Sequence, residues 1–130
     1  QKEPITRRFS FNSNVPDWDK HRKWMKSKLK KFKDFFYLIF DYEKNLKIGV
    51  VRLDSIEDSN YLISIYVDPD FHNIGIGSYA LKIIDYFHPN INIIAEVKSE
   101  NKSSVSLFLK AGYRKIKTGK FVRTKINQSG

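Results

Sequence analysis

The stretch Tyr66–Ser78, with the sequence YVDPDFHNIGIGS, decides the fold of this chain. An apolar strand pattern runs into a turn with two closely spaced glycines, Gly75 and Gly77, and a helical pattern follows at once. This order predicts a loop whose backbone N–H groups surround a phosphate at a helix N-terminus. A dinucleotide-binding fingerprint would need a third glycine within Ser78–Ala80, and a Walker loop would need GxxxxGK[ST]; neither is present.

Composition limits the classes of protein to which this chain can belong. Its 130 residues, 41% of them hydrophobic, suffice for one domain with a single core. There is no Cys, which excludes disulfides, thiolate metal sites and cysteine nucleophiles. No apolar run approaches the ~20 residues of a membrane-spanning helix, so we expect a soluble, cytoplasmic protein with no membrane partner. The net charge of +10 suits a polyanionic or phosphate-rich partner. Lysines that only solvate the surface would give the same excess of positive charge, so both explanations stay open.

Hydrophobic periodicity before the glycine turn predicts one helix and three strands. Asp17 is the predicted N-cap of an amphipathic helix over 18–32. Runs rich in strand formers follow at 35–40, 46–53 and 61–67, separated by a turn at 42–45 and a polar loop at 54–60. In the third strand the odd-numbered residues share one face.

The second half predicts two more helices and three more strands. The helix after Gly75 ends before Pro89, and a strand follows over 91–98. Asn101 caps the next helix, Gly112 ends it, and strands over 113–117 and 120–125 complete the chain. We expect these side chains to face the core: Ile76, Ala80, Ile83, Ile84, Phe87, Val105, Phe108 and Leu109. The fold class is therefore α/β (α+β), a mixed sheet with helices on both faces.

A second motif makes a resemblance specific. Glu96-x₄-Asn101-x₂-Ser104-x₂-Leu107-Phe108-x-Lys110-x-Gly112-Tyr113 follows the first motif, in which Val67-x-Pro69 precedes Gly75-x-Gly77-Ser78. Together, over 46–117, they resemble the GNAT superfamily of acetyl-CoA-dependent N-acetyltransferases. The resemblance implies a mostly antiparallel sheet that splays at the cofactor site, with acetyl-CoA as co-substrate and no metal.

The resemblance also implies a role for each matching position. Backbone groups of Ile65, Tyr66 and Val67 would bind the acetyl carbonyl and the pantetheine arm. Asn101 would contact the pantetheine, and Glu96 matches a general base of some protein-acetylating members. Backbone N–H groups of the loop would hold the pyrophosphate, from Asn73, Ile74, Gly75, Ile76, Gly77 and Ser78.

Two positions depart from the family pattern. His72 stands where Arg or Gln is usual, which reduces the attraction of side chains for phosphate. Phe108 occupies the place of a Tyr that protonates the departing thiolate in many members, and Phe has no proton to donate. Tyr113 is the nearby candidate acid. His72 and His88 have no third ligand in the pattern, so we expect no metal site.

The residues upstream resemble a narrower branch that acetylates nucleotide-linked amino sugars or protein N-termini. They suggest Arg8, Asn12, His21 and Trp24 as contacts of the acceptor, although a surface or core role is open for each. The first strand and part of the first helix of a single GNAT-like domain over 1–130 are expected before Gln1. They would belong to a longer protein, or a second chain in a homodimer would supply the strand.

Four functions remain open at this stage. The first is acetylation of a small amine, foremost of a nucleotide-linked amino sugar, and the second is acetylation of protein N-terminal amines. The third is a CoA-binding module without turnover, suggested by Phe108. The fourth, a nucleic-acid binder using the basic face of 18–32, is the least favoured because such faces are more often solvated; we expect no nucleic-acid partner.

Overall fold

The computed structural model describes residues 9–12 and 34–126, with backbone alone for residues 11 and 12. The predicted cap Asp17 and the helix over 18–32 lie outside the described residues. The strands are β1 Phe9–Asn12, β2 Phe35–Asp41, β3 Leu46–Glu57, β4 Asn60–Val67, β5 Asn92–Glu96, β6 Arg114–Lys117 and β7 Lys120–Arg123, and the helices are α1 Ile76–Phe87 and α2 Lys102–Lys110. A 3₁₀ turn, Pro69–Phe71, joins β4 to the glycine loop.

The seven strands form one sheet in the order β1-β2-β3-β4-β5-β7-β6. Every pair is antiparallel except β4 and β5, which are parallel and are connected through α1. This confirms the predicted α/β (α+β) class with a mixed, mostly antiparallel sheet. No helix in the described part of the chain is long and apolar enough to span a membrane.

The parallel pair β4–β5 opens along its length. Its register runs only from Asn60↔Asn92 to Leu62↔Ile94. Beyond that point β4 continues to Val67 beside β3, while β5 continues to Glu96 beside β7. The sheet is therefore splayed in its middle, as the resemblance implies.

The core lies between the sheet and the inner sides of α1 and α2. In β4, Tyr61 and Ile63 are buried and Ile65 and Val67 pack against the core, so the predicted face is confirmed. The helices differ from the prediction at two positions, because Phe87 and Leu109 are 46% and 48% exposed. The fully buried side chains of α1 and the sheet include Ile39, Ile48, Leu53, Ile76, Leu81, Ile84, Ile93 and Phe121.

The predicted loop over 54–60 is wrong. β3 continues to Glu57 and turns at Asp58, which has a φ of 50°. Ser55 stays in the inward alternation and is buried, and its N–H donates to the Asp34 carboxylate at 2.7 Å. Asp54 points to the other face, where its carboxylate pairs with Arg52 at 2.7 Å. Polar residues on alternate faces, each with a partner, thus extend the strand through a segment whose composition indicates a loop.

β1 is a strand that the sequence did not predict. It pairs antiparallel with β2 from Phe9↔Asp41 to Asn12↔Leu38 and forms one edge of the sheet. Phe9 is buried and meets Phe71 edge-on, with ring centroids 6.3 Å apart. Four residues of mixed polarity carry too little periodicity to predict a strand, and pairing with β2 decides their conformation.

Arg123 joins the end of α1 to the sheet. The side chain is buried, and its guanidinium donates to Asp85 at 2.7 Å, to the His88 carbonyl at 2.8 Å and to the Ile91 carbonyl at 2.7 Å. The His88 ring packs on Phe35 with centroids 4.3 Å apart, and its Nε2 lies 2.6 Å from the Tyr37 hydroxyl. Burial, and then the positive charge of Arg123, lower the pKa of His88.

The environment of His88 predicts that the stability of the protein depends on pH. The unfolded chain takes up a proton on His88 near pH 6.5, before the folded chain does, so the free energy of unfolding falls as the pH drops below about 6.5. We expect urea unfolding of the wild type to lose more stability between pH 7.5 and pH 5.5 than that of His88→Gln. Equal losses in the two proteins would contradict the assignment.

Candidate functional site

The outer half of β4 has one edge without a strand partner. The Asp68 N–H donates to the Ile48 carbonyl of β3 at 2.7 Å. In an antiparallel pair the groups that face the partner alternate, so the backbone of Ser64 and Tyr66 also faces β3 while that of Ile65 and Val67 faces away. On that side β5 no longer pairs with β4. On the side that faces away from β3, Ile65 and Val67 are thus paired with no strand among the described residues, and an extended amide chain could add there as a strand.

His72 makes the one hydrogen bond at this edge within the described residues. Its Nε2 lies 2.8 Å from the Val67 carbonyl oxygen. A carbonyl can only accept, so Nε2 carries the hydrogen in this contact. The ring therefore fixes the peptide that follows Val67 and leaves the two N–H groups of the edge open.

The glycine loop delivers a second set of backbone N–H groups. Asn73 and Gly75 adopt positive φ values of 65° and 90°, and Gly75 is the N-cap of α1 without a side-chain cap. The first helical bond of α1 is Tyr79 N–H to Gly75 carbonyl at 2.9 Å. The N–H groups of residues 76–78 thus point out of the helix end, where the helix dipole adds roughly half a positive charge.

Gly77 brings α2 against this helix end. A Cβ built on Gly77 would lie 3.1 Å from the Leu107 Cδ2 atom. That is tighter than ordinary van der Waals contact, so a side chain at Gly77 would require the Leu107 side chain to shift by a few tenths of an ångström. The sequence interpretation assigned Gly77 to the ligand, and the structure shows that its missing side chain also leaves room for Leu107 of α2.

The sequence predicts two roles for Asn101, the N-cap of α2 and a ligand contact, and its side chain is placed so that it can fulfil both. Its Oδ1 accepts from the Ser104 N–H at 3.2 Å, which confirms the N-cap of α2. The amide N–H₂ group of the same side chain is left to donate elsewhere, and Asn101 lines the cleft described next. The cap thereby fixes the direction of a free donor.

These elements surround one cleft of about 570 Å³, a size typical of small-molecule sites. β4, the loop and α2 each contribute to its wall. Ten positions are expected to bind the cofactor, and Ile74 does not line the cleft. The other nine do: Ile65, Tyr66, Val67, Asn73, Gly75, Ile76, Gly77, Ser78 and Asn101. The Ile74 side chain is 52% exposed.

The two candidate catalytic residues do not line this cleft. Glu96 is exposed at the end of β5, and among the described residues it has no ion pair with Lys98. Tyr113 is 3% exposed and meets Phe108 edge-on, with centroids 5.0 Å apart. Burial raises the pKa of the Tyr113 hydroxyl, which has no hydrogen-bond partner in the described structure. Its proton is therefore held more tightly than that of an ordinary tyrosine.

The expected acceptor contacts cannot be placed. Arg8, His21 and Trp24 lie outside the described residues, and so does the side chain of Asn12. The described structure also contains no group of three or more His, Asp or Glu side chains that could hold a metal ion.

Some residues of the cleft had no binding role assigned to them from the sequence. Ser103, Ser106 and Lys110 of α2 line it, and His72 lines it as well as contacting Val67. The signal for α2 was present, because 103, 106 and 110 recur at the helical spacing of one face. The His72 contact depends on the loop conformation and leaves no sequence pattern.

Comparison with known proteins identifies a family. A family model described as acetyltransferase (GNAT) domain matches residues 1–114. No curated protein gives a significant match.

Several solved structures share the fold. The ribosomal-protein-S5-alanine acetyltransferase of Vibrio fischeri has a TM-score of 0.69 and 16% identity over 82% of this chain and 70% of that chain. An apo ribosomal L7/L12 alpha-N-protein acetyltransferase has a TM-score of 0.70 and 14% identity, covering 94% and 96% of the two chains. The spermidine N-acetyltransferase of Vibrio cholerae, in complex with CoA and spermine, has a TM-score of 0.65 and 16% sequence identity, and the match covers 88% of this chain and 79% of that chain.

The loop geometry predicts a selective loss of coenzyme binding in Gly75→Glu. The new side chain adds bulk and negative charge beside the amides that would hold the pyrophosphate, so we expect binding of CoA to weaken by roughly 100-fold, or ~2.7 kcal/mol. Titration calorimetry measures this directly. The matched control is Gly112→Glu, at an exposed glycine with a similar φ of 94° that does not line the cleft. Similar affinities in the two variants would contradict the assignment.

Proposed function

Because the chain belongs to the acetyltransferase (GNAT) domain family, we propose that it acetylates a weakly basic primary amine, foremost that of a nucleotide-linked amino sugar. The family makes it an acyl-CoA N-acyltransferase, and acetyl-CoA supplies the acetyl group as a thioester. The observation that carries the proposal is one cleft with two sets of unpaired backbone N–H groups, at the edge of β4 and at the start of α1.

The chain's own groups suit the two parts of the coenzyme. The edge of Ile65 and Val67 would pair with the amides of the pantetheine arm, and the free amide of Asn101 would donate to a pantetheine carbonyl. Backbone N–H groups over 73–78 would hold the pyrophosphate. A metal ion is not part of this proposal.

The Val67 N–H would be the catalytic group closest to the acetyl group. It would donate to the acetyl oxygen as negative charge develops there, and the hydrogen bonds of the neighbouring peptide keep it fixed beforehand. Holding the amine and the thioester in line would supply much of the remaining acceleration.

The chemistry of the cleft favours an amine that loses its proton easily. No Asp or Glu lines the cleft in the described part of the chain. A lysine-like amine, with a pKa near 10.4, needs a strong base at neutral pH, whereas an amine of lower pKa can lose its proton to water. Electron-withdrawing oxygens make a sugar amine weakly basic, which supports this acceptor.

A protein N-terminal amine is the second candidate. α-Amino groups have pKa values of about 7.7 to 8.0, so they too need no strong base. Two structures of the same fold are named as acetyltransferases of ribosomal proteins. Spermidine, the substrate named for the third, fits this proposal less well since its amines are strongly basic.

Neither candidate acid–base residue is needed in this scheme. The departing thiolate would take its proton from solvent, because Phe108 has none to give and Tyr113 is buried away from the cleft. Glu96 keeps its proposed role as base only if the acceptor binds at the exposed end of β5. A cytoplasmic location belongs to the same proposal; the lack of an apolar run long enough to span a membrane and the lack of Cys in this sequence support it together.

Turnover with defined acceptors tests the proposal. We expect kcat/KM with a UDP-amino sugar to exceed that with an N-terminal peptide of a ribosomal protein by about tenfold or more, and spermidine to be the poorest acceptor at pH 7. Release of free thiol from acetyl-CoA measures all three. A preference for the peptide would favour the second candidate, and binding of acetyl-CoA without turnover of any acceptor would favour a module without catalysis.

Glu96→Gln is the control for the proton path. If water removes the proton, this variant retains the wild-type rate at neutral pH. A large loss of kcat without a change in KM would restore Glu96 as the base.

A further inference from the structure

Positive charge is concentrated at the C-terminal end of the described chain. Residues 96–126 contain nine Lys and Arg and two Glu, a formal net charge of +7. The described residues 34–95 contain four Lys and Arg and nine Asp and Glu, a formal net charge of −5. A surface with charges of one sign attracts partners of the opposite sign. The end of the sheet that holds β6 and β7 is therefore a candidate surface for an anionic partner.

The densest part of this charge lies on the hairpin of β6, β7 and the turn between them, residues 114–123, which we call the basic hairpin. All four residues of β6 are exposed, and three of them are cations: Arg114, Lys115 and Lys117. None of the three makes an ion pair in the described structure. Their charges are thus not neutralised within the described part of the protein.

One carboxylate lies beside the basic hairpin in the register of the sheet. Glu96 of β5 pairs with Lys120 of β7, yet no ion pair joins their side chains. A further cation, Lys98, lies nearby, since the N–H of the preceding Val97 donates to the Gly119 carbonyl of the turn at 2.9 Å. The single carboxylate in register cannot neutralise the cations around it.

β6 also has an edge without a strand partner. It is the last strand of the sheet and pairs with β7 alone among the described strands. The other edge of an outermost strand presents backbone N–H and C=O groups to which an extended chain can add. Ile116, in the same strand, is 51% exposed and offers an apolar contact. Backbone hydrogen-bonding groups and positive side chains thus occur together on β6.

Charge and backbone together decide which partner suits this edge. A second copy of the chain would bring the same cations against these, and like charges on adjacent strands are destabilising. Single-stranded nucleic acid would match the charge, but the one aromatic side chain of the hairpin, Phe121, is buried and offers no surface for base stacking. An acidic polypeptide satisfies both the cations and the backbone groups.

We propose that the outer edge of β6 binds an acidic, extended polypeptide segment. The segment adds to the sheet as a further strand, and its Asp and Glu side chains pair with Arg114, Lys115 and Lys117. This surface is separate from the cleft, because no residue of β6 or β7 lines the cleft. Binding there goes beyond the proposed acetyl transfer and requires neither the coenzyme nor the acceptor amine.

The competing explanation is that the cations only protect the edge. Lysines are common on edge strands because they oppose pairing with other strands. The register of β6 also shifts between Lys115 and Lys117, and such irregularities disrupt pairing at an edge. A purely protective edge would bind no peptide of either charge, so an acidic peptide distinguishes the two explanations.

Fluorescence anisotropy with three short labelled peptides tests the proposal. The first alternates Glu and Val, the second Glu and Pro, and the third Lys and Val. We expect the Glu–Val peptide to bind about tenfold or more tightly than the Glu–Pro peptide, which has the same charge but lacks every second N–H. The Lys–Val peptide should not bind. Equal binding of the two acidic peptides, or no binding of the Glu–Val peptide, overturns the proposal.

A pair of double variants assigns the binding to β6. Lys115→Gln/Lys117→Gln removes two charges from β6. Lys44→Gln/Lys82→Gln, the matched control, removes two charges from exposed lysines outside the basic hairpin. We expect the Kd for the Glu–Val peptide to rise about fivefold or more in the first variant and to stay near the wild-type value in the second. Equal losses would show that the peptide responds only to net charge, which contradicts the proposal.

Amide hydrogen exchange of the wild type with the Glu–Val peptide locates the contact without any variant. We expect exchange within β6 to slow by about tenfold or more, with no change for residues 76–78 at the start of α1. Slowing confined to other elements overturns the proposal. So does tighter binding of a single-stranded RNA of the same net charge, which would favour nucleic acid, or self-association of the protein through β6, which would favour a second copy.

Discussion

The separation of β4 from β5 after Leu62 and Ile94 is the constraint on which the site depends. Each strand keeps its other neighbour, β3 for β4 and β7 for β5, so the opening does not unfold the sheet. A buried or half-buried backbone polar group without a hydrogen-bond partner is energetically unfavourable. Where a sheet leaves such groups unpaired, a ligand with complementary donors and acceptors can bind to them. The backbone of the half-buried Ile65 and Val67 forms such a site.

The segment that follows β4 turns this opening into a cleft. Pro69 has no N–H and ends the strand, and the Asp68 carboxylate accepts from the Asp70 N–H at the start of the 3₁₀ turn. Gly75 then provides the positive φ that starts α1 with its N-terminus directed at the cleft. The strand edge and the helix end are thus joined by about eight residues of chain, and both present N–H groups to the same space.

The parts of this arrangement that the sequence predicts are those encoded locally. Alternation over 61–67 defines the inner face of β4, Gly75 and Gly77 define the loop, and Asn101 defines the start of α2. What it does not predict depends on contacts between distant segments. β3 extends through Asp54 and Ser55 because Arg52 and Asp34 satisfy their polar groups, and Phe87 and Leu109 are exposed because neighbouring positions on each helix face the sheet more directly. The cleft positions of Lys110 and His72 likewise follow from helix packing and loop conformation.

Amide hydrogen exchange by NMR, with and without saturating CoA, tests the central claim most directly. The N–H groups of Ile65 and Val67 face the opening, while those of Ser64 and Tyr66 face β3 and serve as internal controls. We expect exchange at Ile65 and Val67 to slow by about tenfold or more on binding, with little change at Ser64 and Tyr66. Equal slowing at all four positions, or no slowing at Ile65 and Val67 while the coenzyme is bound, would contradict the account.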